Sequence, residues 1–484
     1  GIRDVERSRG LGDVYKRQLL YNTQMIDHGL YSPQAMERVS PQYGEVVSYN
    51  HSNADTTVAL IGHRYLLYDQ RLNYRLQHRL LNMGINVVSV ETVPKKKIME
   101  AMLDIVEKQY WAYEDEVVGA GAYYLRSEVA GIISVAAFSC GPDSMMMEML
   151  QRKAKRLNKP FLNLVLDEHS SEGGLVTRLE AFVDMARRDK QKPTKYFYVN
   201  RQQEENERIN ALGLPNMGAI LPSFRASAKI LDINLLVPTV TKRTISLGTR
   251  HAPEQACLPF KAILGTFIEC LEQGADTLFM VTSSNACRMG YYSKVHEEIL
   301  RDLGYKFKFL RHRTSDKGIT GVLRTVRRCT NHAPWRKVVE AYALGTGKFK
   351  ALDDMEKKAA EVRATELQKG QTEKIYQAAI QAIDDAPNIL ALKRAEHIFH
   401  RKLDEVPRNP SIVPLRIGIV GELYAVLEPY VNMNLLIELG KLGAHVTRVK
   451  TSYLSEWTSL RSYMGILSAE KARLAKYAQP YLKR

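Results

Sequence analysis

Short apolar runs that stop at a glycine alternate with amphipathic segments along most of this chain. Residues 58–61 form such a run, closed by Gly62; Leu72, Leu76, Leu80 and Met83 then recur at helical spacing as far as Gly84, and a second run follows at 87–90. Continuous apolar runs mark buried strands and a three-to-four spacing marks an amphipathic helix, so the stretch predicts strand, helix, strand. Residues 131–138 predict a buried strand closed by Ser139-Cys140-Gly141-Pro142, with Asp143 or Ser144 placed to cap the methionine-rich helix that follows. Residues 161–166 predict another strand, and 277–281 a third of this kind, reached from a helix that starts near Pro259 and ends at Gly274. Strands alternating with helices imply parallel sheets covered on both faces. Residues 351–406 depart from the alternation: they are helical and charge-rich, interrupted by Gly370 and Pro387 and closed by Pro407, Pro410 and Pro414.

The pattern also repeats. A shift of 359 lays residues 58–87 over 417–446 without a gap, with seven identities in thirty positions: Gly62 on Gly421, Tyr65 on Tyr424, Asn73 on Asn432, Leu76 on Leu435, Leu80 on Leu439, Gly84 on Gly443 and Val87 on Val446. Any strand-helix-strand unit shares glycines and leucines, but not a tyrosine and an asparagine in register, so the match reads as a duplication. The predicted fold is α/β, with several Rossmann-like parallel-sheet units, internally duplicated, and a helical connector.

Residues 1–18 lack apolar periodicity, and their GLGDVYKRQ resembles translated adapter read-through; they are excluded from fold reasoning as non-native. The expected organisation continues with a linker or remnant at 19–56, an α/β domain at 57–195 and a second at 196–350. The helical connector at 351–410 and the start of a further α/β domain at 411–484 complete it. The chain reads as a fragment cut at both ends.

Composition adds limits rather than identity. With 484 residues, 45% apolar and 25% charged, the chain has ordinary globular make-up, which excludes disorder and collagen. Five scattered cysteines and the absence of a signal-peptide core fit a reducing cytoplasm, and no apolar stretch is long enough for a bilayer, so no membrane partner is expected. The net charge of +16 is densest at 311–350, where ten Lys/Arg face two acids. That segment reads as a solvated basic face or as a docking patch for an acidic partner or phosphate; it carries no nucleic-acid-binding motif.

Candidate chemistry lies with the cysteines. Cys140 follows a strand and precedes a helix, Cys287 lies just past the strand at 277–281, and Cys257 sits beside the helix start at Pro259. Ligands of open parallel sheets bind beyond the carboxyl ends of the strands, and a helix N-terminus favours the thiolate that a metal needs. Cys270 shares a helical face with Phe260, Ile263 and Phe267, and Cys329 ends a basic helix; both read as structural. Spacing leaves two readings open, metal ligands or half-buried thiols, because no CxxC pair occurs. Asp167, Glu168, His169 and Glu172 could be acid/base groups or ligands, or a solvated loop capping the next helix. The methionines at 145–147 read as core filler. No Walker A motif, GxGxxG or HExxH appears.

The contexts FSCGPDS around Cys140, HAPEQACLPFKAILG around Cys257 and NACRMGYY around Cys287, with DEHSSEGGLVTRLEAFVDM, resemble the 2-hydroxyacyl-CoA dehydratase superfamily, specifically its activase-related proteins. The resemblance implies a [4Fe-4S] cluster held by three cysteines, Cys257 and Cys287 being two of one set and Cys140 belonging to another. The repeat offset carries Cys140 to position 499, where the missing third ligand of the Cys257 set is expected. Lys261 and Arg288 would steady a reduced cluster or a phosphate, or simply cap loops. The implied function is that of an iron-sulfur component that takes a low-potential electron from an ATP-dependent activase, a separate subunit or a domain fused upstream. It would act on an acyl-CoA-type substrate as a radical hydro-lyase or relay the electron towards one. Asn285-Ala286-Cys287 stands where the family has a Gly-Pro-Cys-like turn, which leaves the catalytic step open. Two other readings are kept: a non-catalytic α/β scaffold that docks an activase, and a basic nucleic-acid binder, although no nucleic-acid partner is expected.

Overall fold

A computed structural model describes residues 56–448 apart from 106–111, 139, 190–208, 283–288, 314–320, 322, 325, 328–329 and 331. Two compact units divide at Arg201–Gln202.

The first unit is built on a four-stranded parallel sheet of β1 (Thr56–Gly62), β2 (Ile85–Ser89), β3 (Gly131–Ala137) and β4 (Phe161–Leu166), in the order β2-β1-β3-β4. Pairing sets Val58 beside Val87 on one side and Gly131 on the other. Central strands of such a sheet are covered on both faces, which is why 58–61 and 132–133 are wholly apolar and fully buried. Helices α1 (Arg64–Tyr68), α2 (Leu76–Asn82), α3 (Lys95–Met102), α4 (Ala112–Leu125), α5 (Gly141–Arg156) and α6 (Glu172–Asp189) complete it. One core cluster joins Leu76 and Leu80 of α2 to Leu179, Phe182 and Val183 of α6 over one face of the sheet.

The periodic segment after β1 is not one helix. Its first half turns through Tyr74 and Arg75, both left-handed at φ 54° and 57°, and α2 starts only at Leu76. The cause is Asn73, 2% exposed, whose Nδ2 donates to the carbonyls of Leu66 and Leu67 (2.8 Å each) and so ends α1. Helix α5 begins one step earlier than its polar residues suggest. Cys140 is its N-cap without a side-chain capping bond, and Pro142 occupies the first turn, where a missing N–H costs nothing.

In the second unit, β5 (Ala211–Gly213), β6 (Asn234–Leu236), β7 (Thr277–Thr282) and β8 (Lys308–Arg313) form another parallel sheet, ordered β6-β5-β7-β8. It is flanked by α7 (Leu221–Ile230), α8 (Lys242–His251), α9 (Leu258–Glu272) and α10 (Met289–Asp302). The helical stretch starts at Trp335, ahead of 351, as α11 (Trp335–Thr365), followed by α12 (Gln371–Asp385) and α13 (Ile389–Asp404). The breaks fall at Gly370 (φ 89°) and at Pro387, as the sequence predicts. These helices share a core of their own in which Leu344, Leu352, Met355, Ile383 and Leu403 close on Ala226 of α7.

β9 (Arg416–Ile419), α14 (Leu423–Leu427), α15 (Leu435–Lys441) and β10 (His445–Arg448) follow. They reproduce β1 to β2 at the offset of 359: α14 and α15 map residue for residue onto α1 and α2. Asn432 donates to the carbonyls of Ala425 and Val426 (3.0 Å each) as Asn73 does to Leu66 and Leu67, and Met433 and Asn434 take the left-handed turn of Tyr74 and Arg75. The copies differ where their surroundings differ. Gly440 replaces Leu81 because the side chain of Arg363, 1% exposed and paired with Glu373 at 2.8 Å, lies 2.7 Å from where a Cβ would stand. No helix among the described residues is long and apolar enough to cross a membrane.

Candidate functional site

Two constellations lie at the carboxyl ends of the strands, one in each unit. In the first, β1 ends at Gly62, where a Cβ would stand 2.5 Å from the carbonyl oxygen of Val135, so only glycine allows β1 and β3 to approach this closely. His63 follows as the N-cap of α1, its ring stacked on Tyr65 with centroids 5.7 Å apart. From the end of β3 the chain reaches Cys140, the N-cap of α5, and Asp143 in the first turn. His63 Nε2 lies 3.2 Å from Asp143 Oδ1, and the ligand atoms of His63, Cys140 and Asp143 all fall within 4.8 Å of one another. Asp143 is 1% exposed, and neither of its carboxylate oxygens accepts a hydrogen bond from the described residues. Since β2 lies on one side of β1 and β3 on the other, these residues meet at the point where the strand order reverses, the usual ligand crevice of an open parallel sheet.

His63 is absent from the sequence-predicted site, and Asp143 entered only as a helix cap. The available signal was positional: His63 directly follows the glycine that ends β1, as Cys140 follows the end of β3. In parallel neighbours those two ends share one edge.

In the second unit Cys257 is the N-cap of α9, with Pro259 in its first turn. A helix that leads into a parallel strand starts at the carboxyl edge of the sheet, and α9 leads into β7. The Cys257 thiol is 2.7 Å from the hydroxyl of Tyr292, a fully buried residue of α10. Behind it Phe260 packs on Tyr292 (5.2 Å) and on His296 (4.1 Å). The His296 Nε2–H donates to the Phe260 carbonyl at 3.0 Å, and burial pushes the imidazole down to about 3, so the ring is neutral. Lys261 reaches the carbonyl of Glu254 at 3.5 Å, bracing the loop before Cys257. Cys287 and Arg288 lie outside the described residues, as does Cys329.

Beside Cys257, α8 crosses α9 at two glycines. A Cβ on Gly248 would stand 1.7 Å from the Lys261 carbonyl oxygen, and one on Gly265 would stand 1.9 Å from that of Thr244. The crossing leaves an open groove of about 620 Å³, whose lining includes Lys242, Ser246, Thr249, Arg250, Leu258 and Tyr430. Two cations and three hydroxyls next to apolar surface suit a ligand with a phosphate end and an apolar arm.

The other candidates resolve into structure. Cys270 is buried and its thiol is pushed up to about 12 by burial. Asp167 accepts from the Ser170 hydroxyl (2.7 Å) and the His169 N–H (3.0 Å), a local turn. Glu168 and His169 are solvated, and Glu172 pairs with Arg79. Met145, Met146 and Met147 are core residues. Within the basic stretch, Arg311 pairs with Glu297 and Arg327 lies over the Trp335 ring.

Thiolates are the donors that an iron-sulfur cluster requires. Cys257, a thiol at a helix N-terminus with a hydroxyl donor in reach, fits such a ligand. Around Cys140 the donor set is mixed, one sulfur with one nitrogen and one oxygen.

No curated protein matches the chain. Residues 213–450, from the end of β5 to just past β10, match the family described as the CoA enzyme activase uncharacterised domain (DUF2229). Over that span, which includes Cys257, Cys287 and the groove but not His63, Cys140 or Asp143, the chain is similar to activase-related proteins of the 2-hydroxyacyl-CoA dehydratase activator type.

Proposed function

We propose that this chain is an iron-sulfur component of an acyl-CoA dehydratase system, working with an ATP-dependent activase, with Cys257 and Cys287 as cluster ligands. The observation that carries the reading is the placement of Cys257. Within the matched span it caps α9 at the carboxyl edge of the second sheet, beside a groove lined by two cations and apolar side chains. When bound, a [4Fe-4S] cluster would supply one-electron chemistry at low potential. The protein's own part is to hold the ligand thiols and to orient the acyl-CoA. Cys257 stands at the N-cap of α9, and the Tyr292 hydroxyl lies 2.7 Å from its sulfur, where it would donate to a cluster-bound thiolate and so tune the reduction potential. Lys242 and Arg250 would take phosphate, and Ile245 and Leu258 would lie along an apolar arm. Lys261 acts by bracing the loop that carries Cys257.

The test is anaerobic reconstitution followed by iron and acid-labile sulfide assay and EPR, on the chain and on a variant with Cys257→Ala and Cys287→Ala. Iron and sulfide in equal amounts, lost in the variant, are expected. In Tyr292→Phe the cluster should persist with a shifted potential. A folded chain that takes up no iron sinks the cluster and leaves a scaffold that docks an activase.

A further inference from the structure

We infer that His63, Cys140 and Asp143 form a mononuclear site for a divalent transition metal of borderline softness, Zn²⁺ above all, with one coordination position open. The site lies in the first unit, outside residues 213–450; it is independent of the cluster assigned to Cys257 and Cys287, and it replaces the second cluster set to which the resemblance would assign Cys140.

The first support is geometric. Two ligands each about 2.0–2.1 Å from a tetrahedral metal stand roughly 3.3–3.4 Å from one another. His63 Nε2 and Asp143 Oδ1 are already 3.2 Å apart, and all three ligand atoms lie within 4.8 Å, a spread that a rotamer adjustment closes. The donors come from two strand ends held together by the close β1–β3 approach at Gly62, so the spacing belongs to the sheet rather than to a loose loop.

A second support is electrostatic. The Asp143 carboxylate is 1% exposed, and among the described residues Oδ2 has no partner; a carboxylate buried without compensation is strongly unfavourable. One imidazole within reach of Oδ1 leaves Oδ2 uncompensated. A bound dication offsets the whole group. Cys140 is the third indication. Its sulfur sits at the N-cap of α5, in the same cluster of ligand atoms as the imidazole and the buried carboxylate, and adds a soft donor to the set.

Nitrogen, oxygen and sulfur in one set match zinc and its borderline neighbours rather than magnesium or calcium, which take oxygen alone. Three protein ligands leave a fourth position for water or for an oxygen of a substrate, the arrangement of reactive rather than purely structural zinc sites. Cys140 and His63 are both partly exposed, so the position opens to solvent.

Chelator-stripped full chain would be titrated with Zn²⁺ against a chromophoric competitor and with Co²⁺ by absorption spectroscopy. One equivalent is expected, with a thiolate-to-cobalt charge-transfer band and the strong visible bands of four-coordinate cobalt. Cys140→Ser should abolish the charge-transfer band, and Asp143→Asn, nearly isosteric, should abolish stoichiometric binding. Cys257→Ser should change neither. Zn²⁺ should raise the Tm of the native chain but not that of Asp143→Asn. Absence of binding in the folded chain overturns the site. So does binding that survives both Cys140→Ser and Asp143→Asn, or a charge-transfer band lost in Cys257→Ser instead.

Discussion

Asn73 ties the first strand-helix-strand unit together, and removing its side chain should have a cost that can be read from its bonds. Its Nδ2 donates to the carbonyls of Leu66 and Leu67 at 2.8 Å each, and its Oδ1 accepts from the Leu76 N–H at 3.2 Å. The residue is 2% exposed, so water cannot replace these bonds. At about 1 kcal/mol net per bond, Asn73→Ala should destabilise the first unit by about 3 kcal/mol. Asn432→Ala removes the two matching bonds to Ala425 and Val426 at 3.0 Å, from a half-buried site, and should cost about half as much. Asn73→Asp provides the sharper test. A carboxylate cannot donate, so it would set charge against two carbonyl oxygens and should cost more than alanine despite its nearly identical shape. Hydrogen exchange read by mass spectrometry assigns each loss to its own segment, and urea unfolding gives the total. A cost for Asn73→Ala below about 0.5 kcal/mol, or an aspartate milder than alanine, would refute the account.

Glu428, 4% exposed, is raised by burial to about 7. Native protein therefore keeps a proton that the unfolded chain releases near its ordinary 4.5, and this group's contribution to stability falls as pH rises from there to about 7, by about 3 kcal/mol. Glu428→Gln should gain stability relative to the native chain at about pH 8 and lose that advantage at about pH 5, as urea midpoints at the two values would show. His296 acts in the opposite sense: lowered to about 3, it costs stability only as pH falls below its unfolded value near 6.5. A methyl group at Gly248 meets the Lys261 carbonyl at 1.7 Å, so Gly248→Ala should push α8 off α9 and cost about 3 kcal/mol or more. If the groove beside Cys257 depends on that crossing, the same variant should also weaken binding of coenzyme A, measured calorimetrically, while the first unit keeps its exchange protection.

What the sequence determined by itself was whatever local periodicity and register encode. The runs at 58–61 and 131–138 are strands within a residue or two because the central strands β1 and β3 are covered on both faces and so are almost wholly apolar, and 161–166 forms the edge strand β4, only partly buried around Asn163. The repeat was legible in its register, and the structure repeats its hydrogen bonds as well. Asn73 and Asn432 had to match because each ends one short helix before a left-handed turn. That turn was itself missed, since apolar spacing across 72–83 looks helical whether or not two left-handed residues interrupt it. Pro259, two residues on, places Cys257 beside a helix start in the sequence, and the structure makes it the N-cap of α9.

Tertiary structure alone decided what faces what. His63 and Asp143 are eighty residues apart and share no spacing rule; only the parallel pairing of β1 with β3, made close by Gly62, brings an imidazole to a buried carboxylate and both to Cys140. Tyr292 likewise met Cys257 only once α10 had packed against α9. Glu428 owes its raised pKa to burial that nothing in its neighbouring residues announces. The physical reason is common to all three. Periodicity along a chain records which face of an element is covered, whereas a site is made of side chains from different elements whose distance is set by the packing between them.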